Sequence, residues 1–479
     1  MIQSQIPTAL AYDDVLIVPK HSTLMSRSEA ITKTRLTKKL NINIPLVSAN
    51  MDTVTESKMA ITLARLGGIG ILHRFMTIEE NVEEIRKVKR AQNFIISNPY
   101  TISQEVTIKE ARYFVENHGV AGLLVVDDDN KLLGVMSRRD FWFNENPDVK
   151  VKDIMTPREK LIVGHDRITF QEAKDLLIKH KVEKLPLVDA NNRVVGLITG
   201  EDIRNSIQYP LASLDANSRL LVGGSVGVHG DYLERAQKLV EAGADVLVID
   251  IAHGDSEIML KAIKEIRDIC GDVQLIAGNI ATAKAADELC RAGVDAVKVG
   301  VGPGSICVTR LVSGCGVPQF TAVMNVSRVA QQYGVPVIAD GGVKKSGDIV
   351  KAIGAGADSI MIGGLLAGTE ESPGVVMQRN DKKFKICRGS ASFSVAMRRK
   401  NINQEKKNLG DVVPEGIESI VPFKGLAVDT IVQLVGGLKS GMSYTNSHTI
   451  TDLQTNAEFV RITPSGQQES GPHDVVALT

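Results

Sequence analysis

The chain has 479 residues, 43% hydrophobic and 23% charged, an ordinary balance for a globular protein of a few domains, or fewer if one is a large α/β barrel. Lysine plus arginine (56) equals aspartate plus glutamate (56), which excludes a basic field for nucleic acid and a polybasic membrane signal, and aromatics at 4% offer few stacking platforms for single strands. No apolar run approaches the roughly 20 residues that cross a bilayer, the first residues lack a signal peptide's basic start, and the five cysteines show no CxxC spacing, so a cytoplasmic, reduced protein without a disulfide or zinc framework is expected.

In chain order, Ile44-Pro45-Leu46-Val47-Ser48-Ala49 and Gly68-Ile69-Gly70-Ile71-Leu72 read first as short buried strands. A repeat follows. Gly119 to Asp127, Leu133 to Ser137 and Asp140-Phe141 recur as Lys181 to Asp189, Val195 to Thr199 and Asp202-Ile203. Asp127 and Asp189, Gly134 and Gly196, and Asp140 and Asp202 each lie 62 positions apart, so the offset is constant over several landmarks. Helical periodicity in 109–114 and 171–177 makes each unit helix, strand, turn, strand, helix. The arrangement resembles a tandem pair of CBS motifs over residues 92–207.

From 215 to 375, apolar strands alternate with helical patterns. Val246 to Asp250, Gln274 to Gly278, Ala296 to Gly300, Val335 to Asp340 and Ser359 to Gly363 are the strands, with helices such as Tyr232 to Val240 between them. Repeated βα units imply a parallel sheet, and about eight strands over both flanks predict an α/β fold of the TIM (β/α)8 type with the tandem CBS (Bateman) pair inserted in one βα loop. The predicted domains are 1–91 and 208–479 for the barrel and 92–207 for the insert. No GxGxxG with a trailing acid supports an open dinucleotide-binding sheet instead.

The chemistry concentrates in Gly300-Val301-Gly302-Pro303-Gly304-Ser305-Ile306-Cys307-Val308-Thr309-Arg310, directly after a predicted strand. Glycines there allow tight turning and close backbone approach, and a thiol in such a cradle, with a hydroxyl two residues on, suits a nucleophile. The other strand ends are polar or glycine-rich in the same sense: Asp250, Gly278-Asn279, Asp340-Gly341-Gly342 and Gly363-Gly364. In a barrel these converge on one face, where paired glycines suit a phosphate and Asp340 suits ribose hydroxyls. Cys270, Cys290 and Cys315 read as small packed hydrophobes, His253 as a side chain without catalytic role, and Lys406-Lys407 as a solvated charge run.

Leu10 to Leu16, the cysteine loop, Gly314 to Val323, Asp340-Gly341-Gly342, Leu366-Ala367-Gly368 and Val413-Pro414-Glu415-Gly416 together resemble the IMP dehydrogenase/GMP reductase family over nearly the whole chain. The resemblance implies that Cys307 attacks C2 of a purine nucleotide (GMP or IMP), with Thr309 and Glu415 handling protons. It places the phosphate on Ser305, Gly342, Gly363 and Gly364 and the ribose on Asp340, with Ser48, Met51, Gly341 and Gly389 completing the substrate set. The nicotinamide nucleotide is expected near Asp250, Ala252, Asn279, Gly300 and Gly302. Carbonyls of Gly302, Gly304 and Cys307, with Glu469 and Ser470 of a neighbouring subunit, are implied as potassium ligands. Ser137, Asp140, Thr199 and Asp202 are implied contacts for ATP or GTP in the CBS pair, which otherwise serves as a packing module. A homotetramer or octamer is likewise implied.

The family has two branches. The dehydrogenase hydrolyses its covalent intermediate with an Arg-Tyr pair on a mobile flap; the reductase expels ammonia and needs no hydrolysis. Here the corresponding stretch, 398–412, contains no tyrosine. Asn50 in Ser48-Ala49-Asn50-Met51-Asp52 and the Gly363-Gly364 pair resemble the reductase, whereas Ile251-Ala252-His253-Gly254, the long C-terminal tail and the CBS pair itself are more typical of the dehydrogenase. The expected activity is therefore NADPH-dependent reduction of GMP, with NAD-dependent IMP dehydrogenation as the alternative. A non-catalytic nucleotide sensor is the third reading, disfavoured because a mere binder has no use for Cys307, Thr309 and Glu415.

Overall fold

The computed structural model describes residues 6–472 apart from 93–94, 97–98, 119, 121, 143, 145 and 404–412. Two compact units are present: Met1–Ala91 with Leu211–Asp215 and Leu220–Thr479, and Gln92–Pro210 with Ala216–Arg219.

The first unit is built on eight short strands: β1 (Leu46–Ser48), β2 (Ile69–Leu72), β3 (Val222–Val226), β4 (Val246–Asp250), β5 (Gln274–Ile280), β6 (Ala296–Val299), β7 (Val337–Asp340) and β8 (Ser359–Ile362). Each pairs in parallel with its neighbour in sequence, and β8 returns to β1 (Ile360 opposite Leu46), so the sheet closes. Strands covered on both sides lose the alternation of a half-exposed sheet and become nearly continuous apolar runs. Val47, Ile69, Ile71, Val246, Val248, Ile276, Ala296, Ile338 and Met361 fill the interior, joined by Leu36 and Ile42 from an N-terminal hairpin. The barrel is thus a packed core, and its chemistry is left to the loops at the strand C-termini.

The surrounding helices are α1 (Ser57–Arg65), α2 (Ile78–Ala91), α3 (Tyr232–Glu241), α4 (Glu257–Cys270), α5 (Ala283–Arg291), α6 (Gln319–Ala330), α7 (Ser346–Gly354) and α8 (Ala427–Tyr444). α4 shows why they form: Met259, Ala262, Ile263 and Ile266 recur at helical spacing and are buried on one face. Thr282 caps α5 by accepting the Ala285 N–H. Between β8 and α8 the chain makes an antiparallel excursion of β9 (Met377–Arg379), β10 (Lys382–Arg388) and β11 (Glu418–Pro422). A helix, Phe393–Asn403, lies between β10 and β11.

One strand escaped the sequence reading, and one expectation needs correction. β3, Val-Gly-Gly-Ser-Val, carries too few large apolar residues to stand out, yet it is fully buried because neighbouring side chains occupy the space its glycines leave. The second unit is inserted after α2, in an αβ connection rather than a βα loop; the amphipathic stretch 78–91 is the helix that completes the second βα unit.

The second unit shows the repeat directly. Helix Ile108–His118 precedes strands Gly122–Val126 and Leu132–Ser137; helix Phe170–His180 precedes strands Lys184–Val188 and Val194–Thr199. The two hairpin turns exchange bonds at equivalent positions. Asn130 Nδ2 donates to the Val194 carbonyl and Asn192 Nδ2 to the Leu132 carbonyl, both at 3.0 Å. Among the described residues, no helix is long and apolar enough to cross a membrane.

Candidate active site

A cavity of about 300 Å³ opens at the C-terminal ends of the barrel strands. Cys307, Thr309 and Glu415 all line it. Cys307 Sγ lies 3.2 Å from Thr309 Oγ1, which donates to Glu415 Oε2 at 2.8 Å. Thiol, hydroxyl and carboxylate therefore form a continuous path along which a proton can move. The path joins segments far apart in sequence. Cys307 and Gly416 form a β-bridge, the Val308 N–H donates to the Glu415 carbonyl at 2.8 Å, and the Ile417 N–H donates to the Ile306 carbonyl at 3.0 Å.

The cysteine loop keeps its shape through glycine. At Gly302 (φ +79°) and Gly316 (φ +156°) an added Cβ would meet the Arg310 side chain at 2.5 and 2.6 Å. Arg310 uses that space to donate Nε to the Val301 carbonyl at 3.1 Å and a further N–H to the Val317 carbonyl. The Gly304 carbonyl accepts the Cys307 N–H at 3.1 Å.

The opposite wall is an ion network. Lys298, on β6, is 1% exposed; its Nζ lies 2.7 Å from Asp250 Oδ1 and 2.6 Å from Asp340 Oδ2, and also donates to Asn279 Oδ1. Asn279 Nδ2 donates to Asp340 Oδ2 at 2.9 Å and to the Gly300 carbonyl at 2.8 Å, and Asn50 Nδ2 donates to Asp250 Oδ2 at 2.9 Å. Burial alone would raise the Asp250 carboxyl, but the Lys298 ammonium and the bonds from Lys298 and Asn50 hold it below the usual carboxylate range. Burial likewise works against the Lys298 charge, but Asp250 and Asp340 outweigh it and hold the ammonium above the ordinary lysine range.

Of the residues predicted for a dinucleotide, Asp250, Ala252, Asn279, Gly300 and Gly302 all line the cavity, as do Met51, Asp340, Gly341 and Gly389 of the substrate set. Of the predicted phosphate residues, Gly364 adjoins Ser305, whose Oγ would lie 3.0 Å from a Cβ there, and Gly363 adjoins Met51, whose Sδ would lie 3.0 Å from one, whereas Gly342 faces Gln319 and Tyr12, each 3.4 Å from its Cβ position. Ser48 is the exception. Strand alternation turns Val47 into the barrel and Ser48 outward, where it is fully buried and accepts Thr55 Oγ1 at 2.9 Å. Cys315 is exposed rather than packed, because Gly314 (φ +72°) ends the preceding short helix and turns the chain outward; Cys290 is buried, which pushes its thiol up to about 11.

Sequence reading missed Lys298 and Arg74, both in the cavity wall. A lone lysine within Ala296-Val297-Lys298-Val299 was the available signal, since a charge inside a buried strand needs partners. At the root of the excursion, Arg388 and Arg398 approach Asp52 Oδ2 at 3.0 and 3.7 Å. The charge run Lys406-Lys407 and most of the expected flap lie outside the described residues.

In the second unit, Ser137 with Asp140 and Thr199 with Asp202 serve as helix caps. Asp140 Oδ2 accepts the Ser137 N–H and hydroxyl at 2.6 and 2.8 Å, and Asp202 Oδ2 accepts those of Thr199 at 3.0 and 2.5 Å. An open volume of about 840 Å³ in this unit is lined by His165, Val188 and Asp189, at the end of strand Lys184–Val188 remote from Thr199.

Residues 9–473 match the family described as IMP dehydrogenase / GMP reductase domain. An inosine-5'-monophosphate dehydrogenase of Nitrosopumilus maritimus is 50% identical over 98% of this chain and 99% of its own. A GMP reductase of Leishmania donovani is 47% identical over 99% of this chain and 98% of its own. Among solved structures, a GMP reductase of Trypanosoma brucei in complex with guanosine 5'-monophosphate superposes with a TM-score of 0.92 at 46% identity, covering 99% of both chains.

Proposed function

Because the chain belongs to the IMP dehydrogenase/GMP reductase family of oxidoreductases, we propose that it is a GMP reductase, converting GMP to IMP and ammonia at the expense of NADPH. The observation that carries this choice is the absence of any tyrosine from 398 to 413, which leaves the excursion without an Arg-Tyr pair to activate water. Two geometric details agree. Asn50 has a use for its amide, on Asp250, that a proline there would lack, and a side chain at 364 would crowd Ser305.

The Cys307 thiolate adds to C2 of GMP. The C2–N bond then breaks, and the amine departs as ammonia with protons relayed through Thr309 and Glu415. NADPH, when bound, supplies the hydride that replaces the amine at C2, and the carbon–sulfur bond breaks to release IMP and the thiolate. The sum is GMP, NADPH and protons in; IMP, NADP⁺ and ammonium out. Asp340 Oδ2 is engaged by Lys298 and Asn279, so the ribose would be held through Oδ1. Asp250, Ala252 and Asn279 line the part of the cavity that would hold the nicotinamide nucleotide.

The alternative, IMP dehydrogenase acting with NAD, is favoured by the name of the Nitrosopumilus relative. One pair of assays separates the two. Loss of reduced nicotinamide with GMP and NADPH is expected; its gain with IMP and NAD, with xanthosine monophosphate as product, would overturn the reductase reading. Cys307→Ala should abolish turnover while GMP still binds.

The remaining assignments belong to the same reading. The second unit would be a CBS pair that takes a purine nucleotide such as ATP or GTP and regulates the barrel. Potassium would sit on the Gly302, Gly304 and Cys307 carbonyls. The chain would work in the cytoplasm as a homotetramer or octamer.

A further inference from the structure

Strand β8 ends at Ile362, and the chain turns at once. The Gly363 carbonyl accepts the Leu366 and Ala367 N–H groups at 3.0 and 2.9 Å, so residues 363–367 form a single helical turn. Such a turn sends its first N–H groups one way and the carbonyls the other. The N–H groups of Gly364 and Leu365 have no acceptor among the described residues, and Gly364 adjoins Ser305. The carbonyls of the same two residues are both taken by one cation: Lys424 Nζ donates to the Gly364 oxygen at 2.7 Å and to the Leu365 oxygen at 3.1 Å. The Lys424 backbone is pinned beside the turn. Its N–H donates to the Gly368 carbonyl at 2.9 Å, and the Gly425 carbonyl accepts the Glu370 N–H at 2.7 Å. Among the described residues the Lys424 ammonium pairs with no carboxylate, so its charge acts on peptide groups alone. The Gly364 carbonyl and the Leu365 N–H belong to one peptide unit. A cation on the oxygen end polarises that unit and makes the N–H at its other end a stronger donor, and its field adds to the attraction on an anion held there.

We propose that Lys424 is a positioning residue for the nucleotide phosphate: held on the carbonyl side of the 363–367 turn, its ammonium strengthens the N–H groups on the opposite side that would receive the phosphate oxygens. It acts through the turn. The inference rests on the expected seat of the phosphate at Ser305, Gly363 and Gly364, but not on the direction of the reaction. GMP and IMP carry the same phosphate, so binding measured with both leaves the test intact if the reductase reading fails.

The test compares Kd for GMP with that for guanosine, and for IMP with that for inosine, by ligand-observed NMR on the full-length protein at about pH 8, where the phosphate is a dianion. Wild type, Lys424→Arg, Lys424→Gln and Lys424→Met are measured. Lys424 is exposed, and solvent screens such a charge, so the effect is modest. Lys424→Gln keeps an N–H donor for the carbonyls and Lys424→Met does not. Each should lower the preference for nucleotide over nucleoside about fivefold, with nucleoside binding unchanged, because each removes the charge. Lys424→Arg should keep the wild-type preference. A merely structural role would weaken nucleoside and nucleotide together, or would show in the methionine variant alone. Either result, an unchanged preference in both neutral variants, or an equal loss in Lys424→Arg would overturn the proposal. A wild-type protein that binds nucleoside as tightly as nucleotide would overturn the phosphate placement itself, and this inference with it.

Discussion

Gly300 offers the sharpest test of how the site is held. It follows β6 with φ +157°, and a Cβ there would lie 2.0 Å from the Asp340 carbonyl oxygen. Ordinary carbon–oxygen contacts are about 3.3–3.6 Å, so Gly300→Ala requires the two strand ends to part by more than about 1 Å. Neither end is free to move. The Asp340 carbonyl accepts Gln319 Nε2 at 3.1 Å, the Gly300 N–H donates to Ile280 at 2.9 Å, and the Gly300 carbonyl accepts Asn279 Nδ2 at 2.8 Å. Overpacking plus backbone strain should cost about 3 kcal/mol. A displacement of about 1 Å between the thiol loop and the Asp340 turn should lower kcat roughly a hundredfold with whichever nucleotide pair supports turnover. Urea unfolding and steady-state kinetics of Gly300→Ala measure both quantities. A stability change below about 0.5 kcal/mol with kcat within about twofold of wild type would show that the close approach of these strands is not what positions the site.

Glu415→Gln keeps the hydrogen-bond acceptor for Thr309 but removes the proton-accepting carboxylate. If the chain is the proposed reductase, ammonia release in single-turnover experiments should slow by about a hundredfold or more while nucleotide affinity changes little; equal slowing of amine loss and hydride transfer would argue against the relay. Glu84 accepts the Ser57 N–H of α1 and the Lys87 ammonium, each at 2.6 Å. Burial opposes its charge, but the bonds from Lys87 and Ser57 prevail and hold the carboxyl below its ordinary value. Its folded pKa thus lies below the unfolded one, so its contribution is present above about pH 4.3 and is lost as pH falls through the folded value. Glu84→Gln should therefore destabilise by about 1 kcal/mol near neutrality and by progressively less in acid, whereas a difference that grows toward low pH would reverse the assignment. Replacing 92–210 by a short linker should leave catalysis in place and abolish any response to ATP or GTP; regulation that survives the replacement would remove the nucleotide role from the second unit.

The barrel was legible because most of its strands are buried on both faces and are apolar enough to be seen one by one. β3 was not, since Gly223 and Gly224 leave space that Ile71, Val246 and Leu239 occupy, a property of the neighbours rather than of the strand's own residues. The thiol loop and the glycine turns were legible because positive φ and close backbone approach limit which residues can stand there. Ser48 was misplaced for the opposite reason: motif membership does not record which side of a strand a residue faces, and the pleat turns it away from the cavity. Lys298 was overlooked because its partners, Asp250, Asn279 and Asp340, come from three other strands and meet only once the sheet has closed. The repeat fixed where the second unit begins, but only the helical character of 78–91 shows which kind of connection it interrupts.

The excursion between β8 and α8 leaves the barrel and comes back to it. Its return strand is pinned to the thiol loop by main-chain bonds on either side of Glu415, whose own N–H donates to the Ala391 carbonyl at 3.1 Å. Cys307 and Glu415 are thereby held beside each other through the backbone. On the proposed reading, forming the adduct and choosing what it meets next rest on separate stretches of chain, so the second can change while the first stays in place.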